Sequence, residues 1–207
     1  MKERTKMSKG LLFVLSGPAG SGKGTVLEEL RKKHPEIKVS ISMTTRAPRG
    51  KEVPNVNYYY TTREDFEKRL ENGEFFEYAE YSGNYYGTLN SEVIDCLDKG
   101  QDVILEIEVV GAKKVKEKYS EAITVMLTPP DAQTLENRLR GRKTEKEPEI
   151  QRRLAKAKEE ITHLPEYDYS VVNEDGRAVE CAELLYAIIQ SAHRRTTYTK
   201  TIIEKFI

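Results

Sequence analysis

The chain has 207 residues, of which 38% are hydrophobic, and its 34 basic and 34 acidic side chains cancel to a formal net charge of zero. That length suits one catalytic core with small inserted lobes. The balanced charge gives no global field for nucleic acid, and no apolar run approaches the roughly 20 residues that span a bilayer.

The stretch Met1 to Gly10 is basic, and the apolar run behind it, Leu11 to Leu15, is shorter than a signal-peptide core and meets a glycine loop. The expectation is a cytoplasmic protein. Leu11 to Ser16 reads as a buried strand, followed by Gly17-Pro18-Ala19-Gly20-Ser21-Gly22-Lys23, then Gly24 and Thr25, then a helical pattern over Val26 to Lys33. Strand, glycine loop, lysine and helix in this order is the setting that a phosphate-binding loop requires. The glycines let backbone N–H groups converge on phosphate oxygens, and Lys23 reaches the outer phosphates. Gly17 to Thr25 is therefore the expected ATP-binding segment. The plainer alternative is a strand-to-helix turn with a solvated lysine. Gly24 stands where a serine or threonine usually meets magnesium, so Thr25, or phosphates and water, would hold Mg²⁺ with ATP, and no dedicated protein metal site is expected.

From Ser40 to Ser91 the composition changes to Tyr, Arg, Pro and Gly, with short strand signals and one predicted helix over Arg63 to Asn72. This reads as a small lobe inserted into the core. Apolar runs return at Asp102 to Ile107, Ala122 to Leu127 and Tyr169 to Val172, alternating with helical patterns over Lys113 to Tyr119, Ala132 to Leu139 and Ile150 to Ile161. Such alternation predicts an α/β fold with a parallel sheet flanked by helices. The polar run Gly141 to Pro148, flanked by arginines, is a candidate lid. The expected division is a core of residues 1–39 and 92–207, an acceptor lobe of 40–91 and a lid of 141–152. The helical stretch from Val179 carries no identifiable chemistry. Cys96 and Cys181 lack metal-ligand spacing and predict packed thiols.

Ser40-Ile41-Ser42-Met43-Thr44-Thr45-Arg46-Ala47-Pro48-Arg49, with Glu52, Tyr58, Glu77 and Gly83-Asn84-Tyr85-Tyr86-Gly87-Thr88, together resemble the GMP-binding region of the guanylate kinase family. The similarity runs on through Leu105-Glu106-Ile107-Glu108, Gly111, Arg138, Gly141-Arg142 and Arg152-Arg153. It implies a P-loop nucleoside monophosphate kinase that moves the terminal phosphoryl group of ATP onto GMP, with dGMP as a second acceptor. Carried over position by position, Arg46, Arg49, Tyr58 and Tyr86 hold the GMP phosphate, Ser42, Glu77 and Thr88 read the guanine, and Glu106 and Glu108 complete the acceptor site, with Glu108 contacting the acceptor nucleotide or a magnesium-bound water. Lys23, Arg46, Arg138, Arg142 and Arg153 supply positive charge to the moving phosphoryl group. Three positions depart from the family pattern: Asn55 replaces a common glycine, Val110 a common glutamine, and glutamates stand at 106 and 108 instead of aspartates.

The chemistry fits independently of the resemblance. Two arginines three residues apart can fork onto one phosphate, and tyrosine hydroxyls can complete its hydrogen bonds. A carboxylate such as Glu77 can accept from guanine N1–H and the 2-amino group, a pair that adenine lacks. A phosphate acceptor is largely deprotonated at neutral pH and needs little help from a general base. His34, His163 and His193 fit no dyad and are read as surface or packing residues. Two other readings are weighed: a non-catalytic interaction module of the same fold, and a small-molecule kinase with another acceptor. The complete loop with the lid arginines counts against the first, and Ser42, Glu77 and Thr88 count against the second.

Overall fold

The computed structural model describes residues 9–50, 52–81, 83–141 and 147–195. Strand β1 (Leu12–Ser16) is buried at every residue, and α1 (Lys23–Lys33) returns along the sheet on Val26, Leu27 and Leu30. After β2 (Lys38–Val39) the chain builds β3 (Met43–Thr44), β4 (Tyr59–Tyr60), α2 (Arg63–Glu71), β5 (Phe75–Tyr81) and β6 (Asn84–Leu89). It continues through α3 (Asn90–Asp98), β7 (Val103–Glu106), α4 (Val109–Lys118), β8 (Ile123–Thr128) and α5 (Ala132–Gly141). Helix α6 (Glu147–Ile161), β9 (Tyr169–Val172) and α7 (Ala178–Ala192) complete the described chain. Among the described residues no helix is long and apolar enough to cross a membrane.

The strands β2-β7-β1-β8-β9 form one sheet in that order, and every pairing in it is parallel. A parallel sheet is covered on both faces, which is why β1 reads as an unbroken apolar run. Phe13 and Leu15 pack with Leu27 and Leu30 of α1 and Leu185 and Ile189 of α7. Leu12 and Val14 face the other way, toward Val93 of α3 and Val115 of α4. The chain leaves β1 for β2 on one side and later crosses from β7 to β8 on the other, so the order reverses around β1. The carboxyl ends of the strands open there, where ligands of open α/β sheets bind.

The second sheet has the order β4-β3-β6-β5, with β3 parallel to β4 and antiparallel to β6. It has its own small core of Met43, Phe66 and Phe75, in which the rings of Phe66 and Phe75 stack at 4.2 Å. A register shift between Phe75 and Glu77 marks a bulge in β5. The extra residue, Phe76, turns into the main core and stacks on Tyr119 at 4.3 Å, while Phe75 stays in the lobe. One bulge thus ties the two hydrophobic cores together and leaves Glu77 between them. Asn55 has φ of 63°, the left-handed region that glycine enters freely and asparagine tolerates. Val110 is 63% exposed and so takes no part in core packing.

Sequence patterns locate most core elements to within a few residues and miss others. The helix expected from Lys113 begins at Val109, because Val109, Gly111 and Ala112 are buried against the sheet although Val-Val-Gly has weak helix propensity. Helix α3 and the short strand β2 go unrecognised, since α3 buries only Val93 and β2 has two residues.

Helix α6 is tied to the end of β7 by charge. Lys156 Nζ lies 3.0 Å from Glu108 Oε2 and 3.3 Å from Glu160 Oε1. The Glu160 side chain is 8% exposed, and burial, together with the neighbouring Glu108, pushes its carboxyl up to about 7. The unfolded chain releases that proton near the ordinary value of about 4.3. Stability from the protonated group is therefore complete below pH about 4 and is lost as pH rises through about 7. Glu160→Gln, an amide that imitates the protonated acid, should gain stability relative to the parent between about pH 5.5 and 8, by roughly 1 to 3 kcal/mol. Denaturant titrations of both proteins at the two pH values check this, and an unchanged difference would remove the proton from Glu160.

Candidate active site

The glycine loop closes between β1 and α1. Gly17 has φ of 149°, and a Cβ there would sit 2.0 Å from the carbonyl oxygen of Leu127 on β8. Gly22 has φ of 94°, and its Cβ would meet Asn173 Nδ2 at 2.3 Å. Side chains are excluded at Gly17 by the backbone of β8 and at Gly22 by the Asn173 side chain just after β9, as well as by conformation at both. Asn173 Nδ2 donates to the Ser21 carbonyl at 2.8 Å, which fixes the crest of the loop. Lys23 opens α1, whose first turn has no acidic residue, and its Nζ donates to Gly17 O at 2.6 Å. The positive end of the helix and the ammonium thus lie together, as an anion requires. Gly24 has open space around it: a Cβ there would meet no atom within 4 Å, so no steric demand excludes a hydroxyl residue.

The loop forms one wall of a cleft of about 380 Å³ between the two sheets. Ala19, Gly20, Gly22, Lys23, Gly24 and Thr25 line it from the loop, and Ser42, Arg46, Arg49, Tyr58, Glu77 and Tyr86 from the lobe. Glu106, Glu108 and Gly111 form its floor, and Arg153 reaches it from α6. The register Leu15↔Glu106 between β1 and β7 explains how loop and acidic floor meet. Gly17, Pro18 and Ser21 are not among the lining residues; they support the loop from behind.

Arg46 is the most enclosed cation of the cleft, with 9% of its side chain exposed. Its Nη1 and Nη2 fork onto Glu52 at 3.0 and 2.9 Å, Nη1 also donates to Ala47 O at 2.6 Å, and Nε donates to Tyr86 Oη at 3.2 Å. The Tyr58 ring lies 5.3 Å from the guanidinium carbon and edge-on to Tyr86. Burial and the nearby Glu106 push the Tyr58 phenol up to about 12, so it remains a hydrogen-bond donor. Arg49 is exposed at the mouth.

Glu77 stands at the other end of the lobe wall. Burial raises its carboxyl pKa, while hydrogen bonds from Thr88 work against that rise. Thr88 Oγ1 donates to Glu77 Oε1 at 2.7 Å and lies 3.4 Å from Ser42 Oγ. Thr88 itself is fully buried and sits behind Glu77, not on the cleft wall. At the floor, burial raises the pKa of Glu106 against the pull of Lys23. Glu108 shifts down, because Lys23 and Lys156 outweigh its burial.

The arginines expected near the donor phosphates divide between two clefts. Arg153 faces the one just described, with Nε 3.3 Å from Glu149 Oε1. Arg138 lines a separate hollow of about 340 Å³ on the far side of the loop, with Gly20, Gly22, Thr25 and Asn173 to Gly176. There it donates to Ser21 O at 3.3 Å, Asn173 O at 2.7 Å and Asp175 Oδ1 at 2.8 Å. Arg142 and the four residues after it lie outside the described residues, while the rest of the segment expected as a lid belongs to the end of α5 and the start of α6.

Two functional contacts escape a reading of the sequence. Glu52 belongs to the lobe motif but has no role assigned from it, and only its contact with Arg46 shows what it touches. Asn173 is a single asparagine after a strand and carries no signal.

Comparison with known proteins agrees with this geometry. The guanylate kinase family profile matches residues 9–190. A guanylate kinase of Clostridioides difficile is 47% identical over 201 residues, covering 97% of each chain. One from Lactococcus lactis is 47% identical over 199 residues, covering 96% of this chain and 95% of its own. The crystal structure of guanylate kinase from Anaplasma phagocytophilum superposes with a TM-score of 0.72 at 34% identity, covering 89% of this chain and 86% of that one. With the glycine loop and the lobe residues converging on one cleft and the match running nearly end to end, the chain belongs to the guanylate kinase family.

Proposed function

We propose that the protein transfers the terminal phosphoryl group of ATP to GMP, releasing ADP and GDP, and accepts dGMP as well. The observation that carries this reading is the single cleft that places Lys23 on one wall and Arg46, Tyr58, Tyr86 and Glu77 on the other. In this reading the triphosphate lies on the loop from Gly17 to Thr25, with Lys23 at its outer phosphates. Arg46, Arg49, Tyr58 and Tyr86 take the acceptor phosphate, which is largely dianionic at neutral pH and can attack without a general base. Catalysis then rests on alignment and on positive charge around the moving group, supplied by Lys23, Arg46 and Arg153. Arg138 acts from behind the loop, holding the Ser21 carbonyl and bordering the hollow that suits the rest of the donor nucleotide. Arg142 contributes from the lid, and closure of residues 40–91 and 141–152 over both nucleotides would exclude water.

Guanine is read by Glu77 and Ser42. Thr88 serves by holding Glu77, since its hydroxyl is already donated to that carboxylate. Thr25, exposed on the cleft, and the bound phosphates with water suit Mg²⁺, and the ionised Glu108 adds negative charge facing the same space. When bound, the ion neutralises charge on the donor phosphates.

Lys23→Ala should remain folded, because the lysine side chain supports no core packing, and should lose roughly three orders of magnitude in turnover. Melting temperature and coupled ADP release measured together check this; a folded variant with parental turnover would remove the loop assignment. Base choice gives a second test. AMP presents an unprotonated N1 to Glu77, and hydrogen-bonding sites reject such analogues by about 10⁴ in kcat/KM. Glu77→Gln should weaken GMP use by about 2 to 4 kcal/mol in transition-state terms and narrow that discrimination, with the KM for ATP little changed. Full GMP activity with full discrimination in the variant would contradict the role given to Glu77.

A further inference from the structure

Glu52 is the most heavily hydrogen-bonded acid around the cleft, and the reaction as described does not use it. Its Oε1 accepts from Arg46 Nη2 at 2.9 Å. Its Oε2 accepts from Arg46 Nη1 at 3.0 Å, the Arg49 backbone N–H at 2.7 Å and the Tyr60 hydroxyl at 2.8 Å. A carboxylate offers about four acceptor sites, so this one is nearly saturated. Its donors include both expected phosphate-binding arginines, Arg46 through the side chain and Arg49 through the backbone.

The donors of Arg46 can be counted in the same way. A guanidinium has five N–H groups. Both on Nη1 are engaged, by Ala47 O and Glu52, and one on Nη2 is engaged by Glu52. Glu52 and Ala47 leave the side edge of the group untouched: it comprises the second Nη2–H and the Nε–H, the latter already donated to the Tyr86 hydroxyl at 3.2 Å. That edge is a two-pronged donor matched to two phosphate oxygens, with a phenol beside it to complete the set.

We propose that Glu52 is a positioning residue for the acceptor phosphate: it holds the end-on fork of Arg46, so that only the side edge beside Tyr86 is presented, and anchors the backbone of Arg49 with the same carboxylate. This rests on Arg46 binding the GMP phosphate. Glu52 is held by Tyr60 and the Arg49 N–H independently of Arg46, so it stays in place when phosphate arrives instead of acting as a stand-in that phosphate must displace. The arrangement reduces the rotamer freedom that an arginine loses on binding, which is how preorganisation raises affinity. Glu52 borders the cleft, but because it acts through Arg46 its effect should fall on GMP binding and depend on the guanidinium being present.

The test is a double-mutant cycle in the full-length protein with Glu52→Gln, Arg46→Lys and the two combined, measuring KM for GMP, KM for ATP, kcat and melting temperature. Glu52→Gln should raise KM for GMP on the order of tenfold to a hundredfold while KM for ATP changes by less than about twofold. In the Arg46→Lys background, where no fork remains to be aimed, adding Glu52→Gln should raise KM for GMP by no more than about threefold. Tyr60→Phe, which deletes one anchor of Glu52 and leaves its charge, should raise KM for GMP by about threefold to tenfold and serves if the glutamine variant does not fold. An unchanged or lowered KM for GMP in Glu52→Gln, or full additivity in the cycle, overturns the inference while leaving Arg46 in place. An unchanged KM for GMP in Arg46→Lys overturns the assignment of Arg46 and this inference with it.

Discussion

The close approach of the glycine loop to its neighbouring strands sets the frame for everything else. Gly17 lies against the Leu127 carbonyl and Gly22 against Asn173, with no room for a Cβ at either place. The loop is therefore clamped by β8 and by the chain after β9, and its position is that of the buried sheet itself. Since β1 is the central strand and has no exposed residue, a shift of the loop would disturb the main core. Protein interiors are close-packed and resist such shifts. Lys23 inherits that rigidity: it begins α1 at a fixed point and is already held on Gly17 O.

Against this fixed wall stands a lobe that has its own small core. Phe66 and Phe75 let the second sheet pack by itself, and the bulge at Phe76 is the stitch that joins it to the body. The same bulge leaves Glu77 on the cleft wall, so a structural device of β5 and the residue proposed to read the base are one feature. The charges around the cleft are likewise partnered: Arg46 with Glu52, and Glu108 with Lys156. Buried or half-buried ions of this kind are costly unless partnered. The partners therefore do two things at once, making burial of the charged groups tolerable and aiming the groups that remain free.

The sequence makes the loop legible because its chemistry is local: strand, glycines, lysine and helix are contiguous, and each is dictated by backbone geometry. The lobe residues Arg46, Tyr58, Glu77 and Tyr86 are legible only through family resemblance, since a lone arginine or glutamate carries no local signature. Where the geometry adds to that reading, long-range contacts are the reason. Asn173 reaches Ser21 across 152 residues of sequence, and nothing near it foretells the contact. Thr88 stands beside Glu77 because of a strand register, and the hydrogen bond between the two is a contact that the sequence does not announce. Arg138 and Arg153 are alike in sequence as helical arginines, yet α5 and α6 carry them to opposite sides of the loop. The start of α4 at Val109 shows the same rule in the fold, with burial against the sheet overriding local propensity.

The central claim is that the cleft between the sheets aligns an acceptor nucleotide with Lys23. A crystal structure of the protein with GMP and a non-hydrolysable ATP analogue tests it most directly. The GMP phosphate should bind the side edge of Arg46 and the Tyr58 and Tyr86 hydroxyls, the guanine N1 and 2-amino groups should meet Glu77, and the outer phosphate of the analogue should sit on Lys23 facing the acceptor. GMP bound outside this cleft, or seated in it with its base turned away from Glu77, would contradict that alignment.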